Sequence, residues 1–211
     1  MESAPLLFSL AAGFSLFMFV SMTAFVKLSV VLMIIRQALG LQQVPSNMII
    51  MALAVFLSAY IAQPVIVLAI ANMSEISFSL DTPQDLINLV GVGLAPFQAF
   101  IRANIDPVHL EFLVEITTDL WAGSGITATP DDLLVQIPAF MISELTEAFK
   151  IGFLLYLPFV AIDLAVTGIL MALGMQMVQP NIIAVPFKLL TFVFVDGWAR
   201  LIEGLVLTYA G

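Results

Sequence analysis

The chain contains no cysteine, so it can build neither a disulfide framework nor a thiolate metal site or nucleophile. Positive charge is nearly as scarce. Six Lys and Arg stand against fifteen Asp and Glu, a net charge of -9, which repels a phosphate backbone and leaves nucleic acid out as a partner. Charged residues of all kinds make up 10% of the 211, where a soluble domain carries about 25%. What fills the chain instead is apolar: 62% hydrophobic residues and a mean hydropathy of +1.12. A soluble core has no room for that excess, and a bilayer span needs about 20 consecutive apolar residues as helix. Apolar tracts cover residues 5–35, 48–73, 151–178 and 182–210, which predicts an all-α, membrane-associated protein of four spans arranged as two helical hairpins. Glu2 stands where a secretory signal would carry basic residues, and the first apolar run outlasts a signal core of about 7–15 residues. The N-terminal tract is therefore expected to be a helix of the mature protein.

Residues 74–137 have ordinary soluble composition and divide the chain into an N-terminal hairpin (1–73), an acidic helical insertion (74–137) and a C-terminal hairpin (138–211). The insertion carries three helix-start signals, each a capping side chain followed by proline at the first helical position: Thr82-Pro83, Asp106-Pro107 and Thr129-Pro130. Asp85 and Asp132 add an acid at the third position of the first and last. After Pro83, Leu86, Val90, Phe97 and Ile101 share a face, although Gly91, Gly93 and Pro96 should bend or weaken the helix. After Pro107, Leu113, Ile116 and Leu120 form an apolar stripe opposite Glu111, Glu115 and Asp119. Such a run of acids reads as a solvated face, since a metal site would want further oxygen ligands or a histidine and His109 sits a turn away. Ile76, Phe78 and Leu80 alternate as a short strand would, and Gly123-Ser124-Gly125 reads as a loop. Lys27 and Arg36 are the only charges between Glu2 and Glu75, which places the 36–47 connection on the cytoplasmic side and the insertion, with Arg102 as its only cation, on the outer side.

Within the C-terminal hairpin, Gly174 suits a helix C-terminus and Pro180 a stop. Asp163 and Lys188 lie inside its apolar arms, and either charge alone would cost about 2.5–3.5 kcal/mol near a bilayer centre. Counted from the bend at about 1.5 Å per residue, their levels differ by about 6 Å, so they are expected to form a buried ion pair. A proton relay is the competing role. Glu144, Glu147 and Lys150 follow at three-residue spacing on the entering helix, and Asp196, Arg200 and Glu203 near the C-terminus, with Asp196 about 12 Å beyond Lys188 along one helix. Polar stripes on apolar helices point to neighbouring subunits. Met171, Met175, Gln176 and Met177 gather at the bend, either filling gaps in a lipid-facing turn or, in several copies around an axis, forming a deformable plug.

Three runs then carry a resemblance. Arg36-Gln-Ala-Leu-Gly-Leu-Gln-Gln-Val-Pro-Ser-Asn47, Ile142-Ser-Glu-Leu-Thr-Glu-Ala-Phe-Lys-Ile-Gly-Phe153 and Pro186-Phe-Lys-Leu-Leu-Thr-Phe-Val-Phe-Val-Asp-Gly-Trp198, in this order, resemble the FliP/SctR family of the type III protein export apparatus. The resemblance implies a non-enzymatic subunit of the export gate in the bacterial inner membrane, without cofactor or metal. Several copies would coil with SctS and SctT type subunits into a channel entrance for unfolded polypeptides. It also implies that the assembled helices are raised toward the periplasm and packed on one another. The family's methionine-rich constriction maps onto Met175, Gln176 and Met177, with glutamine where methionine is often found, and its buried pair onto Asp163 and Lys188. The segment 149–159 is closer to virulence-type than to flagellar members. Two rival classes remain: an intramembrane aspartyl protease, which would need Asp163 and Asp196 close enough to share a proton, and a solute transporter, for which no internal repeat is visible.

Overall fold

The computed structural model describes residue 13 and residues 17–41, 43–74, 83–123, 125–175 and 177–210, and every regular element among them is an α-helix. Helix α1 spans Phe25–Ala38, α2 Asn47–Ser74, α3 Pro83–Asn104, α4 Pro107–Leu120, α5 Leu133–Ala172, α6 Pro180–Phe194 and α7 Gly197–Leu207. The all-α expectation is met. The strand expected at Ile76, Phe78 and Leu80, the cap Thr82, the loop residue Ser124 and the side chain of Leu86 lie outside the described residues.

Against the four spans expected, two or three candidates are found among the described residues. Helices α2 and α5 are long and apolar enough to cross a membrane, and α6 with α7 make a third candidate if their 63° bend is read as one broken span. In the first tract the helical residues 17–22 give way to a turn at Thr23-Ala24. The 14 residues of α1 then rise only about 21 Å, short of a bilayer core of about 30 Å. The opposite happens in α5, which starts at Leu133, ahead of both the apolar tract at 151 and the expected hairpin boundary at 138. Its 40 residues make about 60 Å of helix, twice the hydrocarbon thickness. Pro138 and Pro158 lie within it, each giving up one main-chain hydrogen bond, yet the helix continues because its apolar surroundings favour an internally bonded backbone.

Helix starts in the middle of the chain follow their caps. The Asp106 carboxylate accepts from the Val108 N–H at 2.9 Å with Pro107 at the first helical position. Near Pro130 the start moves three residues on. Asp132 accepts the backbone N–H of Thr129 at 2.7 Å and its own carbonyl receives the Val135 and Gln136 N–H groups, so Thr129–Asp132 is a turn and Asp132 the cap.

The chain packs as two compact units, Met1–Val26 with Ser58–Leu145, and Lys27–Leu57 with Thr146–Gly211. In the first, Met22, Ile101, Ile105, Ala139 and Phe140 form the core, edged by Leu94, Phe97, Phe100 and Leu113, with Phe100 edge-on to Phe140 at 6.1 Å. Helix α3 runs unbroken through Gly91, Gly93 and Pro96. Its inward stripe is Leu94, Phe97 and Ile101, while Val90, expected on that stripe, is exposed. The Ser143 hydroxyl ties three segments together. It donates to the Ala139 carbonyl at 2.8 Å and accepts the Asp106 N–H at 3.0 Å, with His109 Nδ1 also at 3.0 Å.

In the second unit α1 is the buried centre: Leu28, Val31, Leu32 and Ile35 are shut off from solvent. A Cβ added at Gly152 would collide with Ile34, so glycine there lets α5 lie close against α1. Around the bend between α6 and α7, Phe192 packs against Phe159 and edge-on against Trp198, ring centres 6.2 and 5.2 Å apart.

Candidate functional site: a lysine-clamped hairpin and its methionine tip

The reversal from α5 to α6 is built from main-chain geometry. Gly174 adopts φ +72°, the left-handed conformation that an L side chain disfavours. The Gly174 N–H then reaches the Met171 carbonyl at 3.0 Å and the Met175 N–H the Leu170 carbonyl at 2.9 Å, the paired bonds of a Schellman ending. Pro180 does not stop the hairpin, as expected; it opens α6 at the first helical position after Gln179, where its missing N–H costs nothing. Val166 and Leu170 of α5 pack on Ala184 of α6 and hold the arms together.

At the tip, Met171 and Met175 are exposed and Met177 is 98% exposed. Gln176 lies outside the described residues. All three side chains are thus open to solvent in part, Met175 the least and Met177 almost wholly.

Lower in the hairpin Lys188 is clamped. Its Nζ donates to Asp163 Oδ2 at 2.6 Å and to the Ala38 carbonyl at 3.0 Å, and only 6% of its side chain is exposed. The second contact places an ammonium on the last carbonyls of α1, where the helix dipole favours positive charge. One lysine therefore fastens three helices. Asp163 Oδ1 is buried with no hydrogen-bond partner among the described residues, so Lys188 is what offsets the cost of burying this carboxylate.

A second lysine does the same at the other end of α1, and the sequence reading missed it. Lys27 was expected beside the cytoplasmic connection; instead it is 1% exposed, paired with Glu147 Oε2 at 2.6 Å and lying 4.1 Å from the centre of the Tyr209 ring. The available signal was a lysine inside an apolar run, which requires a partner. Arg36 alone is left to mark the 36–47 connection, which it closes by donating to the Asn47 side chain and the Pro45 carbonyl.

Burial splits the stripe of Glu144, Glu147 and Lys150. Glu144 is fully buried, Glu147 is taken by Lys27, and Lys150 faces outward. Asp196 is not on a helix with Arg200. It sits at φ 54° in the turn before α7, because Gly197 lies under the Phe192 ring and no Cβ would fit there. Asp196, Arg200 and Glu203 are all exposed. The two carboxylates a protease would need are thus differently employed, Asp163 on Lys188 and Asp196 on an exposed bend.

Among the described residues, the short helix α1 is held near both ends by lysine ion pairs, to Glu147 and to Asp163, and the α5–α6 hairpin ends in exposed methionines. The sequence pattern of the FliP family matches residues 7–205, and the chain belongs to that family. It is similar to the Yop proteins translocation protein R of Yersinia pestis, 44% identical over 190 residues that cover 90% of this chain and 88% of that protein. It is similar also to the harpin secretion protein HrcR of Erwinia amylovora, 42% identical over 89% of this chain and 87% of that one. A flagellar biosynthetic protein FliP of Cereibacter sphaeroides is 42% identical over 90% of this chain and 62% of its own length. The chain is accordingly a bacterial inner-membrane component of the type III protein export apparatus.

Proposed function

We propose that this chain is a non-enzymatic wall subunit of the export gate, several copies of which enclose, with SctS and SctT type subunits, the channel entrance through which unfolded polypeptides leave. The methionine tip carries this reading. Uncovered, flexible thioethers on a rigid hairpin are unfavourable in a lone chain, but around an axis they make a seal that blocks ions and reshapes around a passing polypeptide. Met175, Gln176 and Met177 form the constriction in this account.

Lys150, Asp196 and Arg200 are the outward polar groups available to neighbouring subunits, while Glu144 is buried and Glu147 is paired with Lys27. A helix of about 60 Å in α5 supports the expectation that much of the assembled chain stands on the periplasmic side, with residues 74–137 there and the 36–47 connection in the cytoplasm. The near full-length match to the virulence-type relatives, against 62% of the flagellar one, favours an injectisome. Co-expression with SctS and SctT type partners, followed by mass measurement of the detergent-purified complex, tests the assembly. A complex holding several copies is expected, and a well-behaved monomer that ignores its partners contradicts the reading.

A further inference from the structure

The outward face of α4 bears two parallel rows. Val108, Phe112, Ile116 and Leu120 recur every four residues and are between 45% and 76% exposed. Glu111, Glu115 and Asp119, also four apart and exposed, run beside them. Ile116 and Leu120 thus lie with the acids on the outward face and not on the inward stripe expected from spacing, where Leu113 alone remains. The helix makes its inward contacts through Leu110 and Leu113 and fully buries none of its residues, so both rows are free of the fold. α4 contains no lysine or arginine. Like charges one turn apart repel, and side chains four apart form the ridge along which one helix packs against another.

We infer that this face docks a basic amphipathic helix belonging to a different protein. Charge decides among the occupants. An anionic membrane surface is repelled by three carboxylates standing alongside the apolar row. A second copy of this chain cannot match them either: Lys27, Arg36, Arg102, Lys150, Lys188 and Arg200 are all its cations, and no two lie within four residues of each other. A partner that satisfies Glu111, Glu115 and Asp119 together must carry lysines or arginines three or four residues apart beside its own apolar stripe, a pattern absent from this chain. Complementary charge would set its register along α4 while the apolar row supplies the contact. The inference is independent of the methionine seal.

Photo-crosslinking in cells that assemble the whole apparatus tests it, with p-benzoylphenylalanine in place of Phe112 and the adducted peptide sequenced. The expected adduct is with another protein, through a segment bearing basic residues at that spacing. The triple variant Glu111→Gln, Glu115→Gln, Asp119→Gln should lower its yield at least tenfold at unchanged membrane abundance of this chain. In isolated membranes, with no added substitution, raising ionic strength to about 1 M, where screening reaches about 3 Å, should lower the yield likewise. An adduct with a second copy, with phospholipid or with a protein lacking the basic stripe, no adduct at all, or a yield indifferent to both treatments overturns the inference.

Discussion

Lys27 and Glu147 meet at 2.6 Å with unequal burial: 1% of the lysine side chain is exposed against 46% of the glutamate. The two partners are therefore not equivalent. Glu147→Gln leaves a buried ammonium without its carboxylate, whereas Lys27→Met removes the buried charge and leaves a carboxylate that water still reaches. Removing one member of a fully buried pair costs about 3–5 kcal/mol, and the exposure of Glu147 puts this pair at or below the lower end. Thermal melting of the purified protein in detergent should show Glu147→Gln as clearly destabilised and Lys27→Met as the milder variant. The reverse order would mean that the pair does not hold α1 against α5.

The second lysine gives a different pattern, because Lys188 serves a carboxylate and a helix terminus at once. Asp163→Ala should destabilise by about 3 kcal/mol or more, with lower yield of assembled complex. Asp163→Leu with Lys188→Leu should recover part of this, not all, since the Ala38 carbonyl still loses its donor. A double variant no better than Asp163→Ala would favour a proton-linked role for the pair over a structural one.

This pair also shows how far the sequence could be read. The levels of Asp163 and Lys188 follow from helix rise counted from one bend, a local quantity. Lys27 and Glu147 are 120 residues apart, and no local rule joins them, so the partner of this lysine is not legible in the residues around it. The length of α5 is obscured for a related reason: Glu144, Glu147 and Lys150 interrupt the apolar run before residue 151, and only the fold shows Glu144 buried and Glu147 paired with Lys27. The bend at Asp196 was invisible because it depends on Gly197 passing under the Phe192 ring, a contact made only once Phe159 and Trp198 fix that ring.

That bend is itself testable. A Cβ at Gly197 would come within 3 Å of the Phe192 ring, and overpacking of this kind costs about 1–3 kcal/mol. Gly197→Ala should lower the melting temperature, and Phe192→Leu in the same chain should restore part of the loss by vacating the space. If Gly197→Ala melts like the parent, the bend between α6 and α7 is not set by this contact.

The central claim is that the methionines at the α5–α6 reversal close the channel, and conductance across a planar bilayer measures that most directly. The purified complex carrying Met175→Ala and Met177→Ala keeps the Schellman ending and the Lys188 clamp and loses only thioether bulk, so it should assemble as the parent does. Its resting conductance to small ions should rise well above the parent's, while Gln176→Met should leave it unchanged or lower. A fully assembled double-alanine channel as ion-tight as the parent would contradict the account and place the seal elsewhere.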